Sequence, residues 1–211
     1  WQIGAVAVIN ANLDHGEIEN QLNDLMLISN KTNLFNKIKN FATKYNPKYK
    51  PNLSEEALIT FETGNGIKLS HYNLLVNANS IQKALNIESR TKIYCNLEPG
   101  SSAWAVFKAI LPIYSGCIFD NENPDFSINT QDGDYLLRYD FQNLKKFSNN
   151  DIAICPENTA AISVGSNPIH LTDFHLNKND LQIKGHSVMM GYLSQELNKS
   201  SFKKDGFFIH F

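Results

Sequence analysis

The sequence predicts an α/β fold in which an α/β portion with parallel strands, residues 1–150, is followed by a smaller β-rich portion, residues 151–211. Three observations carry this prediction. Apolar runs of strand length alternate with helical stretches along the first 119 residues, and the last third breaks into short β-prone runs separated by Pro, Gly and Asn. No repeat of about 20 to 50 residues recurs, which argues against solenoids and propellers.

The elements follow in order. Ile3 to Ile9 is an apolar run broken only by Gly4 and reads as a buried strand, with Asn10 to His15 turning the chain. From Gly16, Ile18, Leu22, Leu25 and Met26 share one helical face, and acidic residues near the start complement the helix dipole. The lysine-rich stretch Lys31 to Lys50 has no clean apolar stripe and reads as a solvated connector with a short helix. Ala57 to Glu62 is the next strand, Thr63 to Gly66 a glycine turn, and Ser70 the cap of a helix whose apolar residues, Leu74, Ala78, Ile81 and Leu85 among them, recur at three- and four-residue intervals.

Arg90 to Leu97 reads as a strand, and a second apolar helix begins after Gly100 and Ser101; Pro112 should kink or end it, and Gly116 suits a turn into a strand at Cys117 to Phe119. Asp120 to Asn150 is the least legible region: Tyr135 to Tyr139 is strand-like and Phe141 to Phe147 helical. Ile152 to Ile154, Ala160 to Val164, Phe174 to Leu176 and Leu181 to Lys184 are short strands.

With 211 residues, a formal net charge of -2 and a pI near 6.3, the chain has no global electrostatic reason to bind nucleic acid or an anionic membrane. No apolar run approaches the roughly 18 residues of a transmembrane helix, and the start at Trp1 shows no export signal. Cys95, Cys117 and Cys155 are odd in number and form no CxxC pair, which points away from a disulfide framework or zinc ribbon and toward a reducing cytoplasm. GHSVM at Gly185 to Met189 lacks the second glycine of a nucleophile elbow, so Ser187 is not a candidate nucleophile; His170, Asp173 and His175 fit no metal-binding spacing and read as loop or surface residues.

Three stretches resemble the large N-terminal domain of the adenylate-forming acid ligases, the superfamily of acyl-CoA synthetases. TFETGNGIKLSHYNLL (Thr60 to Leu75) has the family's flanks around its phosphate loop; CPENTAAIS (Cys155 to Ser163) is similar to its Tyr-Gly-x-Thr-Glu motif, with Pro156 for the threonine; and LQIKGHSVMMGYLSQELNKSSFKKDGFF (Leu181 to Phe208) resembles its Lys-Gly turn, Val-Met-x-Gly-Tyr segment and Asp-Gly-Trp/Phe-Phe ending. The opening WQIGAVAVINAN resembles an earlier strand of the same domain.

The resemblance implies ATP-dependent activation of a carboxylic acid to acyl-AMP, with Mg2+, and transfer to the thiol of coenzyme A or of a carrier protein's phosphopantetheine. Fatty acids are the weakly preferred substrate. It places Thr63, Gly64 and Gly66 at the phosphate loop, Glu157 in the metal shell, and Asn158 and Thr159 near the nucleotide. Lys68 corresponds to the position after the loop's last glycine rather than to the loop lysine. The family's Ser/Thr/Gly-rich loop is represented here only by Thr63, Gly64, Asn65 and Gly66, and its ribose-binding aspartate, hinge and C-terminal domain do not occur in these residues. Two accounts follow: an active ligase whose remaining parts lie outside these residues, or a non-catalytic relative that binds an acyl group, a nucleotide or a protein.

Overall fold

The computed structural model describes residues 6–9, 15–22, 50–177 and 180–210. The expected strand residues 3–5, the turn at 10–14, the helix residues Leu25 and Met26, and nearly all of the lysine-rich connector lie outside the described residues.

Strand β1 (Ala7–Ile9) runs parallel to β2 (Glu56–Thr60), with Val8 opposite Ile59. Helix α1 (His15–Glu19) places Ile18 against Ile59 and Phe61 in a small apolar cluster. Strand–helix–parallel strand is the rhythm the sequence predicts. After β2 the structure differs: a strand, β3 (Ile67–Ser70), stands between the glycine turn and the helix and pairs antiparallel with β2. The physical reason lies in the pattern Ile67-Lys68-Leu69-Ser70. Ile67 and Leu69 are buried while Lys68 lies on the other face, paired to Glu56 at 3.2 Å; four alternating residues suffice for a strand once an edge is available to pair with. Strand β13 (Gly191–Tyr192) adds to the far side of β3, giving the order β1-β2-β3-β13.

Helix α2 (His71–Ala84) starts directly from β3 through a reciprocal cap at Ser70. The Ser70 Oγ accepts from the Asn73 N–H at 3.1 Å, and the Ser70 N–H donates to Asn73 Oδ1 at 2.9 Å. Leu74, Ala78 and Ile81 enter the main core, together with the polar Asn73, Asn77 and Ser80. Leu75, next to Leu74 in sequence, is exposed.

Strand β4 (Lys92–Cys95) is the centre of a three-stranded parallel sheet between β5 (Ile118–Phe119) and β6 (Phe126–Ile128). The connection from β4 to β5 is helical: α3 (Ser102–Trp104), a π-helical segment Ala105–Ile110, and α4 (Leu111–Ser115), ending at Gly116 in the left-handed region, φ 72°. Pro112 does not end this helix. Proline has no N–H for the α-helical ladder, and the turn just before it is widened so that the Leu111 N–H reaches back to the Val106 carbonyl.

Strands β7 (Leu136–Arg138), β8 (Asp151–Ile154), β9 (Ala161–Val164) and β10 (Asn167–Pro168) form a third sheet in the order β10-β9-β8-β7. The expected helix at 141–147 is a 3-10 helix, Phe141–Lys146. A fourth sheet joins β11 (Thr172–Asn177), β12 (Asp180–Gly185) and β14 (Phe208–His210), with helix α5 (Gln195–Ser201) before the last strand. β8 pairs with β7 across residue 150, and β13 with β3, so both portions share sheets. Their side chains share one apolar core, from Leu58 and Leu69 through Phe107 to Ile154 and Phe208. No helix among the described residues is long and apolar enough to cross a membrane.

Candidate functional site

The turn between β8 and β9 carries the sequence-predicted residues Glu157, Asn158 and Thr159, and all three are buried. Pro156–Asn158 forms one 3-10 turn; its fixed proline φ suits the first position, where no N–H is needed. The chain then reverses at Thr159, with φ 71° and ψ -58°, while the Ala160 N–H donates to the Asn158 carbonyl at 2.8 Å. This is a γ-turn of the strained kind, centred on a β-branched residue that rarely adopts positive φ. The surroundings over-determine it. Thr159 Oγ1 donates to the Ser187 carbonyl at 2.6 Å, and Asn77 on α2 grips both sides of the turn. Asn77 Nδ2 donates to the carbonyls of Asn158 (3.1 Å) and Ala161 (3.0 Å), and Asn77 Oδ1 accepts from the Ala161 N–H (3.2 Å).

Glu157 projects from this turn into a polar cluster assembled from three elements. Tyr192 on β13 donates its phenol to Oε1 at 3.0 Å; His210 Nδ1 on β14 lies 3.2 Å from Oε2; and Cys155 Sγ lies 3.3 Å from the same oxygen. Burial pushes the Glu157 carboxyl upward, but the hydrogen bond and charge of His210 outweigh it and hold the group below its ordinary 4.5, as an anion. Burial and the Glu157 charge push the Cys155 thiol and the Tyr192 phenol well above their usual ranges.

A second carboxyl, Glu62, lies close enough to Glu157 for their charges to oppose each other. Its Oε1 accepts from the Ser102 N–H at 2.9 Å, at the start of the helical stretch. Desolvation raises the Glu62 pKa from 4.5 despite that hydrogen bond. The Ser102 and Ser187 hydroxyls and Asn158 Oδ1 are buried with no hydrogen-bond partner among the described residues, so the region holds unused polar capacity there.

Residues 61–66 link β2 to β3 as a tight connection. Thr60 and Ile67 are still paired, and the Gly64 N–H donates to the Phe61 carbonyl at 2.9 Å. Thr63 and Gly64 are exposed, but Gly66 is buried. Leu193 covers it: a Cβ on Gly66 would lie 2.3 Å from Leu193 Cδ1 and 3.1 Å from the Phe61 ring, and the Leu193 N–H donates to the Gly66 carbonyl at 2.8 Å. A loop that cradles a triphosphate presents several backbone N–H groups around an open concavity. Thr63, Gly64 and Gly66, which the resemblance places at the phosphate loop, lie here in a short connection with Gly66 covered by Leu193. Lys68 is bridged to Glu56 on β2 at 3.2 Å.

The donor set around Glu157 likewise suits Mg2+ poorly. That ion takes six oxygen ligands in near-octahedral array, whereas Glu157 is surrounded by a thiol, an imidazole and a phenol, and both of its oxygens are already engaged. Sequence reasoning found Glu157 and missed the groups that hold it. In sequence, Tyr192 is read only within the Val-Met-x-Gly-Tyr segment, Cys155 only as an unpaired cysteine, and Glu62, Asn77 and His210 carry no role. Asn73 and Asn77 at i, i+4 on a helix whose other face is apolar were the available signal.

No protein-family model and no curated relative matches this sequence. Solved structures do. The adenylation and carrier-protein unit McyG A-PCP, complexed with phenylalanyl-adenylate, superimposes with a TM-score of 0.65 at 17% identity over 82% of this chain and 41% of that one. The o-succinylbenzoate coenzyme A synthetase of Bacillus subtilis, with its acyl-adenylate intermediate, gives 0.66 at 12% identity over 95% of this chain and 68% of that one. A malonyl-CoA ligase with methylmalonyl-CoA and AMP gives 0.59 at 12% identity over 77% and 50%. The fold is therefore that of the adenylate-forming acid ligases, and the chain spans between 41% and 68% of the length of these three neighbours.

Proposed function

We propose that this chain is a carboxylate-binding core built on the adenylate-forming ligase fold, one that takes an acid or its activated acyl derivative without carrying out the ATP-dependent step on its own residues. The observation that carries this reading is the 61–66 link, closed over by Leu193 where the resemblance expects a phosphate loop. Support for acyl binding comes from the segment Asn96 to Gly116, which resembles part of the family's acyl-pocket wall although it lacks the histidine or aromatic often found there. It contains a π-helical segment, a feature that recurs at functional sites, and a buried Ser102 hydroxyl with no partner among the described residues. Residues 1–150 and 151–211 are then the α/β and β-rich portions of one domain, and three free, buried cysteines suit a reducing, cytoplasmic setting.

A second reading is favoured by Glu157 itself, a buried carboxylate held ionised at the position where the family has its metal-binding glutamate. In that reading a longer protein activates an acid with ATP and Mg2+ and passes it to coenzyme A or a carrier-protein thiol.

One experiment separates the two. The protein is titrated calorimetrically with a panel of fatty, aryl and amino acids and with a non-hydrolysable acyl-adenylate analogue, and acid-dependent ATP–pyrophosphate exchange is measured in parallel. Saturable acid or analogue binding with no exchange is expected. Acid-dependent exchange would establish the second reading, and no binding of any acid or analogue would overturn the first.

A further inference from the structure

We propose that Cys155, Glu157 and His210 form a site for a borderline-soft divalent transition metal of the zinc class. This inference stands apart from acyl binding and from Mg2+ chemistry. Among the described residues these three make up the group of His, Cys, Asp or Glu donors that converge, their ligand atoms all within 4.8 Å of one another. They come from three directions: Cys155 from the end of β8, Glu157 from the 3-10 turn and His210 from β14.

The geometry is close to what a tetrahedral ion requires. Bonds of about 2.0 Å to oxygen and nitrogen and about 2.3 Å to sulfur place neighbouring donors about 3.3–3.6 Å apart. Glu157 Oε2 lies 3.3 Å from Cys155 Sγ and 3.2 Å from His210 Nδ1. The third pair, Cys155 and His210, has its ligand atoms within 4.8 Å, so it closes by up to about 1.3 Å to admit a tetrahedral ion.

The charge balance also fits. A dication with one thiolate, one carboxylate and one neutral imidazole is a neutral group, the form that burial penalises least. On binding, the Cys155 thiol proton passes to solvent, and the Nδ1 proton that His210 directs at Glu157 leaves or moves to Nε2, freeing the Nδ1 lone pair. The Glu157 carboxylate loses nothing. Sulfur and imidazole donors select zinc-class ions over magnesium.

The supporting shell is in place. Tyr192 fixes Oε1 at 3.0 Å and so aims Oε2 at the other two donors, while the Met189 N–H holds the Glu157 carbonyl at 2.7 Å. The Phe141 ring meets the His210 ring edge-on, with centroids 5.2 Å apart. The His210 side chain is 26% exposed, which gives an ion a route in and leaves a fourth position for water.

The test is a titration of the purified, metal-stripped protein with Co2+ as a spectroscopic probe, followed by displacement with Zn2+ and, separately, with a large excess of Mg2+. Expected are the visible bands of tetrahedral cobalt and a near-ultraviolet thiolate-to-cobalt band at one ion per chain, abolished by Zn2+ and untouched by Mg2+. Cys155→Ser should lose the thiolate band, and His210→Gln should weaken binding by about tenfold or more. A Cys95→Ala/Cys117→Ala protein that keeps the band assigns it to Cys155 even if Cys155→Ser does not fold. Absence of a thiolate band in the wild-type protein, its loss in the Cys95→Ala/Cys117→Ala protein, or displacement by Mg2+ would overturn the proposal.

Discussion

Asn77→Ala tests whether the candidate site is held from α2. Asn77 is fully buried and makes three hydrogen bonds to the strained turn. Two of the groups it serves have other partners: the Asn158 carbonyl also accepts from Ala160 N–H, and the Ala161 carbonyl also accepts from Asn158 Nδ2 at 2.9 Å. The Ala161 N–H loses Asn77 Oδ1 as its acceptor, and orphaning one buried donor costs about 1–3 kcal/mol. The void left by the truncated side chain brings the total to about 2–4 kcal/mol. Relaxation of the turn should not recover this, because Thr159 Oγ1 still holds the Ser187 carbonyl. The assay is urea unfolding of wild type and variant, compared at equal m. Asn79→Ala is the matched control, since Asn79 lies on the same helix and bonds the exposed Tyr114 hydroxyl; it should fall within about 0.5 kcal/mol of wild type. Equal losses in the two variants, or a loss under about 1 kcal/mol for Asn77→Ala, would refute the clamp.

Three further outcomes follow from the titrating groups. Glu62 is raised above 4.5 by burial, so its ionisation opposes folding as pH rises past 4.5; Glu62→Gln, which keeps an acceptor for the Ser102 N–H, should be more stable than wild type at pH 7 and gain less at pH 4, as read by thermal unfolding. Glu157 is depressed below 4.5, so its contribution is fully present above 4.5 and disappears as pH falls through the folded-state value; Glu157→Gln should be less stable than wild type at pH 7, with the gap narrowing below pH 4.5 in acid titrations. All three cysteines are free and buried, with the Cys95 thiol pushed up to about 12, so a thiol reagent at pH 8 should find almost none in the native protein and all three in urea.

The sequence was most legible where local pattern and burial agree. Ser70 as a helix cap, Gly116 as a left-handed stop, and the β8–β9 and β11–β12 strands can each be read from a handful of adjacent residues. What escaped depended on distant partners. β3 exists because β2 and β13 flank it, and the dipeptide strand β13 has no signature of its own. Pro112 was legible as a disruption, but the π turn that absorbs it depends on the neighbouring packing of Val106 and Phe107. At the site, Glu157 was found through resemblance, whereas Tyr192 and His210 reach it from 35 and 53 residues downstream, a distance no local spacing rule spans.

Motif residues here divide by the work they do in the fold. Ser70 and Asn73 close a capping box, and Asn73 Nδ2 also donates to the carbonyls of His186 and Val188 at 2.9 Å each, tying the helix start to the Lys-Gly turn region. Asn77 then ties the next helical turn to Asn158 and Ala161. These bonds satisfy backbone groups and are required whatever the site does, so the flanks of the 61–66 link have a structural role of their own. Glu157 is different, because its carboxylate is held largely by the side chains of His210, Tyr192 and Cys155. A buried anion without a cation is costly, and a fold that keeps the glutamate must supply His210, a metal ion or both. The architecture therefore accounts for the motif's asparagines and serine by itself, while the carboxylate requires a charged partner, and identifying that partner in solution is what decides the chemistry of this site.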